Sequence, residues 1–470
     1  MLTLLTFLVN SVVNFALGLG VAYYLGASEF GVFALAAAGA MVLQTTFFEW
    51  LRLSANRFYG ELQNAADPGI IATLNRLTGG IAVALSLCAL GVYFGGGGLG
   101  VTALVAAMAP LIAITNGLYD FRAAIARASF DNRRYAELVI IKNALALVLM
   151  LGGAYVWHRA DLVLFGLCLS ALAGAAVSGR GQPKQDAGAI RKDLIRQFAL
   201  YSVPIVTANI IFLANMMMVR SGVALQHGLA ESGRYSLSLD IGLKLAATLG
   251  SALDIYLFQL AVRAEAEGGM TAARGQLRHN IAVVFAVMLP AALGIWLVLP
   301  SFERLFVSET YCGAFADYLT ILLPGLFSCA LIQYAINPLF QIAKKTAPVV
   351  WAALASLGVT AAVLFLLPGS NGAHGAWATT AGFVAGLAVI ITLAVRHAPV
   401  AIPWGDLGKA LVAAGVMLLV ALPLRGFTPG PSTLISTVIV GAAAYGLMAV
   451  VLNICGCRPA ICGRLRTATA

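Results

Sequence analysis

The chain has 470 residues, of which 61% are hydrophobic and only 10% charged, with a mean hydropathy of +0.91. That composition excludes an ordinary soluble protein, and apolar runs recurring almost end to end give a polytopic α-helical membrane protein. The net charge of +10 does not point to nucleic acid, because the basic residues fall in short stretches between the runs.

In chain order, the N-terminal run lacks a basic start and is longer than a signal-peptide core, so it reads as a retained first span. About fourteen spans are predicted, near 3–25, 30–51, 76–95, 99–120, 137–157, 161–178, 198–220, 234–260, 279–300, 315–341, 347–367, 372–395, 408–425 and 433–454. With both termini cytoplasmic, 22 lysines and arginines fall on the inner side and five on the outer. A bias of that size across alternate loops supports the span count and the orientation together.

The longest basic connector, around 179–197, divides two groups of six spans. Glu29–Leu35 opens the second span and Glu231–Leu237 opens the eighth; both read E-x-G-x-aromatic-x-L, 202 residues apart. Ile81-Ala82-Val83 and Ile281-Ala282-Val283 repeat at nearly the same offset. Six-span halves share one sidedness, so the repeat is parallel. The expected organisation is a six-helix bundle over 1–178, a cytoplasmic linker over 179–197, a second bundle over 198–396, and two extra helices with a tail over 397–470.

The eighth span carries charge where a membrane helix should not. At about 100° per residue, Asp240, Lys244, Ala247, Ser251 and Asp254 share one narrow stripe, while Leu245, Leu249 and Tyr256 face away. Lys244 lies roughly 15 Å along the helix from Arg234, near mid-bilayer. Charge at that depth costs a few kcal/mol even on lenient scales, so it faces protein or a watered cavity, where transporters place their sites. The bland alternative is an Asp240–Lys244 pair at i,i+4 that only joins helices. The tenth span holds Pro324 and Asn337-Pro338 and is expected to kink or break near its inner end. Cys455, Cys457 and Cys462 lack a histidine partner and zinc-like spacing, so no metal is expected. Gly95–Gly98 lacks the Lys-Ser/Thr of a P-loop, and no cofactor is expected.

The segment Ala22-Tyr23-Tyr24-Leu25-Gly26, followed by Ser28–Leu35, resembles the polysaccharide biosynthesis flippases. These export O-antigen and exopolysaccharide units and share a superfamily with multidrug exporters and lipid II flippases. The resemblance covers the first twelve spans in layout and implies two six-helix bundles around a cavity lined by the first, second, seventh and eighth spans. It implies alternating access, an ion gradient, and a cargo of oligosaccharide on a polyprenyl pyrophosphate. Membrane lipid is the second implied partner; partnership with polymerase or export machinery stays open. A bacterial inner membrane location and a non-enzymatic role are also implied.

Such cargo needs cations for the pyrophosphate and hydrogen-bonding groups for the sugars. The candidates are Lys244, Asn10, Asn14, Asn209, Arg220, Ser251 and Lys142, with Gln44 and Glu49 on the second span. Each has an alternative: Asn10 and Asn14 can bond neighbouring helices, Arg220 and Lys142 can snorkel, and Glu49 can sit at the interface. Asp254 and Asp240 are the ion-coupling candidates, with Asp254 favoured because a carboxylate beside Lys244 stays ionised. The rivals are a multidrug or cation antiporter, a lipid II flippase, a membrane-embedded glycan polymerase or ligase, and an assembly scaffold. The first span has no arginine, which weighs against lipid II; the largest outer loop, Ser301–Asp317, is short and lacks histidine, which weighs against a polymerase.

Overall fold

The computed structural model describes residues 2–59, 68–96, 101–129, 131–178, 191–343, 345, 347–367, 369, 371–397 and 400–458. Every regular element among them is helical. They are α1 (Leu2–Phe47), α2 (Glu49–Ser54), α3 (Pro68–Gly95), α4 (Ala103–Ala128), α5 (Asn132–Ala146), α6 (Gly152–Trp157), α7 (Ala160–Ser178) and α8 (Lys192–His227). Then follow α9 (Leu229–Phe306), α10 (Ala314–Ala330), α11 (Asn337–Ile342), α12 (Ala347–Leu366), α13 (Ala373–His397), α14 (Trp404–Arg425) and α15 (Pro431–Val451). Single π-helical turns join α5 to α6 over Leu147–Leu151 and α10 to α11 over Leu331–Ile336. The tenth span is perturbed near its inner end by a π-helical turn that runs directly into α11, with Pro338 in the first turn of α11. The linker 179–190, Lys344, Cys462 and the Asn10 side chain lie outside the described residues.

Twelve of the described helical stretches are long and apolar enough to cross a membrane, so the chain is a multi-pass membrane protein. Two of them each hold two predicted spans. α1 has 46 residues and α9 has 78, roughly 69 and 117 Å if straight, far beyond a hydrocarbon core of about 30 Å. Each is interrupted by a glycine in a conformation that side-chain-bearing residues cannot hold, Gly26 (φ 72°, ψ 170°) and Gly269 (φ 67°, ψ −167°). Gly228, between α8 and α9, repeats the conformation of Gly26 at φ 87° and ψ 169°. These two lie 202 residues apart, the offset of the sequence repeat. The two halves thus bend their first pair of spans with the same residue in the same geometry.

The chain packs as two compact units, Met1–Leu237 with Ser370–Gly372, and Ser238–Gly369 with Ala373–Ala470. In the first unit Leu51, Leu74, Phe121 and Phe198 bring α2, α3, α4 and α8 together, and Ile112 and Leu164 join α4 to α7. In the second unit Leu257, Leu277, Tyr334, Phe340 and Ile390 form the main core. The last two helices dock on the later part of α9: Ala286 packs with Ala410 and Ala413, and Leu297 with Met417 and Ala421. The Tyr445 hydroxyl donates to the Ala286 carbonyl, and the Arg425 guanidinium lies 3.6 Å from the centre of the Trp296 ring. Small side chains let these helices approach closely, the usual basis of helix association in lipid.

Candidate functional site

Three features concentrate chemistry in the membrane-spanning part. The first is the repeated motif itself. Gly31 and Gly233, the glycines of the two E-x-G sequences, lie backbone to backbone within the first unit. A Cβ on Gly31 would collide with the Leu229 carbonyl and sit 3.1 Å from the Gly233 nitrogen. A Cβ on Gly233 would collide with the Ala27 carbonyl and sit 2.9 Å from the Gly31 nitrogen. The contact is reciprocal, residue for residue, across the repeat. Only glycine allows such a crossing, because each helix fills the space a side chain would occupy. Of the two glutamates, Glu29 accepts from the Ala160 amide at the start of α7 at 2.8 Å, and Glu231 pairs with Arg234 one turn along its own helix. Arg220 is only 7% exposed, with its Nη1 donating to the Ala34 carbonyl at 3.3 Å, so it ties α8 to α1 rather than reaching outward.

The second feature is the charged stripe on α9, in the second unit. Asp240, Lys244, Ala247, Ser251 and Asp254 are all half-buried. On the other side of the helix Gly242, Leu245, Ala246 and Leu249 line a small apolar void with Met288, Ala291 and Leu326, so the division into a greasy and a polar face holds. Gly250 is pressed against the Tyr334 ring, which the π-helical turn places there. Ser251 donates to the Ala247 carbonyl. Asp254 lies within electrostatic reach of Tyr334 and makes no hydrogen bond or ion pair among the described residues. Asp240 and Lys244 are each engaged rather than isolated. Asn14 and Asn209 are exposed, on α1 and α8.

The third feature gathers the candidates Gln44, Glu49 and Lys142 around a residue that the sequence did not single out. Asp120, two turns inside α4, accepts from Gln44 Nε2 at 2.6 Å. Lys142, on α5, holds its ammonium 4.0 Å from the centre of the Tyr119 ring and within the electrostatic field of Asp120. Glu49 and Arg52 of α2 form an ion pair that adds to the same field. A span predicted to end at residue 120 leaves Asp120 at the interface; the helix runs on to Ala128. The missing signal was that length. Tyr334 was equally hidden, since only the π-helical turn turns it toward Gly250.

No protein-family model matches the chain, and no curated protein matches it significantly. Solved structures do. The lipid II flippase MurJ in an inward closed conformation superposes with a TM-score of 0.77 at 12% identity, over 96% of this chain and 98% of that one. An inward-facing multidrug resistance MATE transporter of the MOP superfamily gives 0.62 at 14% identity, over 82% and 94%. A MOP-superfamily transporter from Pyrococcus furiosus gives 0.54 at 16%, over 83% and 92%. The fold is that of the MOP-superfamily transporters. The MurJ match leaves 4% of 470 residues uncovered, about 19, fewer than the 22 of α14 or the 21 of α15. Neither of the last two helices can lie wholly outside it.

Proposed function

We infer that the chain is a transporter, not an enzyme, that flips oligosaccharide linked to a polyprenyl pyrophosphate across a bacterial inner membrane, with both termini cytoplasmic. The observation that carries the reading is the stripe on α9, a lysine with small and hydroxyl-bearing neighbours at membrane depth, set in a MOP transporter fold. An ammonium there meets a diphosphate through charge-assisted hydrogen bonds, and the adjacent carboxylate Asp254 carries the coupling ion. The Gly31–Gly233 crossing supports alternating access: two pseudo-equivalent helices that meet through backbone alone separate without unthreading side chains.

A second reading, lipid II as the cargo, is favoured by the near-complete MurJ superposition and disfavoured by a first span without arginine. One experiment separates them. Cells lacking the gene are extracted for lipid-linked glycans, labelled separately from each membrane face. Accumulation of a polyprenyl-linked oligosaccharide on the cytoplasmic face, with surface polysaccharide lost, is expected. Accumulation of the peptidoglycan precursor instead would replace the first reading with the second. Unchanged pools of both would overturn flipping. Gly31→Leu should reproduce the deletion phenotype while the chain still inserts, because the crossing cannot form.

A further inference from the structure

A cavity of about 310 Å³ in the first unit, separate from all three features above, lies between α3 and α4 with Phe48 at its base. Its lining is graded along the membrane normal. Asn75, Thr78 and Arg122 sit at one end, while Ala82, Ile114 and Leu118 line the deeper part. Ile114 is eight residues from Arg122 on α4, roughly 12 Å at helical rise. The polar end is the basic end of the unit, which also carries Arg57, Arg76, Arg127 and Arg133, and is therefore the cytoplasmic side.

Arg122 is half-buried and anchored by a single bond, its Nη1 donating to the Ala175 carbonyl at 2.6 Å. It makes no ion pair among the described residues, and the charge it feels most is Arg134, of the same sign. A guanidinium carries five N–H donors, so several remain to be met. Asn75 likewise makes no hydrogen bond among the described residues, and Thr78, which donates to the Leu74 carbonyl at 2.8 Å, keeps its acceptor capacity. A cation with no counter-ion among the described residues, beside the exposed Asn75 amide and above an apolar channel, suits an anion attached to a hydrocarbon chain. The outer face of α3 is bare: Val83, Leu87 and Leu90 are each more than half exposed, and a side chain at Gly79 would meet nothing within 4 Å. A lipid reaches the cavity sideways from the bilayer.

We propose that this cavity binds an anionic glycerophospholipid of the cytoplasmic leaflet, with its phosphate on Arg122 and Asn75 and an acyl chain along Ala82, Ile114 and Leu118. The chemistry is shared with the polyprenyl pyrophosphate carrier, but the volume, at the low end for ligand pockets, fits one headgroup and the start of a chain rather than a diphosphate with sugars. The site stands on these helices alone and does not depend on the cargo reading.

The test uses the full chain purified in neutral detergent, titrated with phosphatidylglycerol, phosphatidylcholine or undecaprenyl pyrophosphate and followed by native mass spectrometry. Phosphatidylglycerol is expected to bind about tenfold more tightly than phosphatidylcholine, because the choline ammonium offsets the charge of the phosphate that both lipids present to Arg122. Arg122→Gln should erase that preference, Arg122→Lys should keep part of it, and Gly79→Leu, which fills the cavity without touching charge, should weaken binding of both phospholipids. If Arg122→Gln does not fold, Gly79→Leu decides alone. Phosphatidylglycerol binding unchanged in Gly79→Leu and Arg122→Gln would overturn the site. Loss of undecaprenyl pyrophosphate binding with phosphatidylglycerol unaffected would overturn the phospholipid assignment.

Discussion

The two units each bury charge in the membrane, and they do it in opposite ways. In the first, Gln44, Asp120 and Lys142 come from three helices, and the Gln44–Asp120 bond joins residues 76 apart in sequence. In the second, Asp240, Lys244, Ser251 and Asp254 come from one helix, at helical spacing, and Asp254 has no hydrogen-bonding or ionic partner among the described residues. A network whose members answer one another rigidifies the helices that carry it. A carboxylate left unanswered at membrane depth remains a group that something else must meet. On the function proposed above, this difference gives the first cluster a structural role in its bundle and the second the transport role.

The largest effect that tests the contrast is on stability. Asp120→Leu removes the acceptor of Gln44 and the counter-charge of Lys142, and is expected to cost about 3 kcal/mol, read by unfolding in mixed micelles. Adding Lys142→Met should recover part of that loss, because the stranded ammonium is then gone. Transport per folded molecule should change less than about twofold, a small effect beside a tenfold step of 1.4 kcal/mol. A double variant no more stable than the single would break the claim that these two residues act as a pair.

Next comes Lys244. Its replacement by alanine breaks the contact that engages it and should cost some stability, and transport per folded molecule should fall about tenfold to a hundredfold, the range of one or two charge-assisted bonds to phosphate. Lys244→Arg should retain most activity, since the cation is kept. Measured as flipping of lipid-linked glycan in proteoliposomes, equal activity of Lys244→Ala and the parent chain would move the second cluster into the same structural role as the first.

How far the sequence carries this argument depends on whether a feature is local. The helices and the 202-residue repeat are written in hydropathy and one short motif, and the structure adds that the motif's glycines meet each other. The stripe on α9 was legible because one helix generates it at a fixed angle per residue. Asp120 was not, because its meaning depends on where α4 ends and on Gln44 and Lys142 brought to it by other helices. Tyr334 was not, because a single π-helical turn changes which way it points. The cavity under Arg122 was hidden for a related reason: the arginine reads as an inner-loop residue until Ala128, six positions later, is seen to end the helix.

Asp254 gives the smallest effect on folding and the sharpest distinction. Asp254→Asn is nearly isosteric and breaks no hydrogen bond or ion pair among the described residues, so stability should shift by less than about 0.5 kcal/mol. Transport driven by an ion gradient should nevertheless lose its dependence on that gradient, because an amide neither exchanges a proton nor balances a bound cation. Downhill exchange of the same cargo, which needs no coupling, should continue. Tyr334→Phe removes a hydroxyl within electrostatic reach of the carboxylate but leaves the carboxylate itself, so it should shift the ion or pH profile without abolishing it. If Asp254→Asn kept an unchanged profile while Asp120→Asn altered it, the roles of the two clusters would have to be exchanged. Coupling would then belong to the network that three helices build, and the stripe on α9 would be its scaffold.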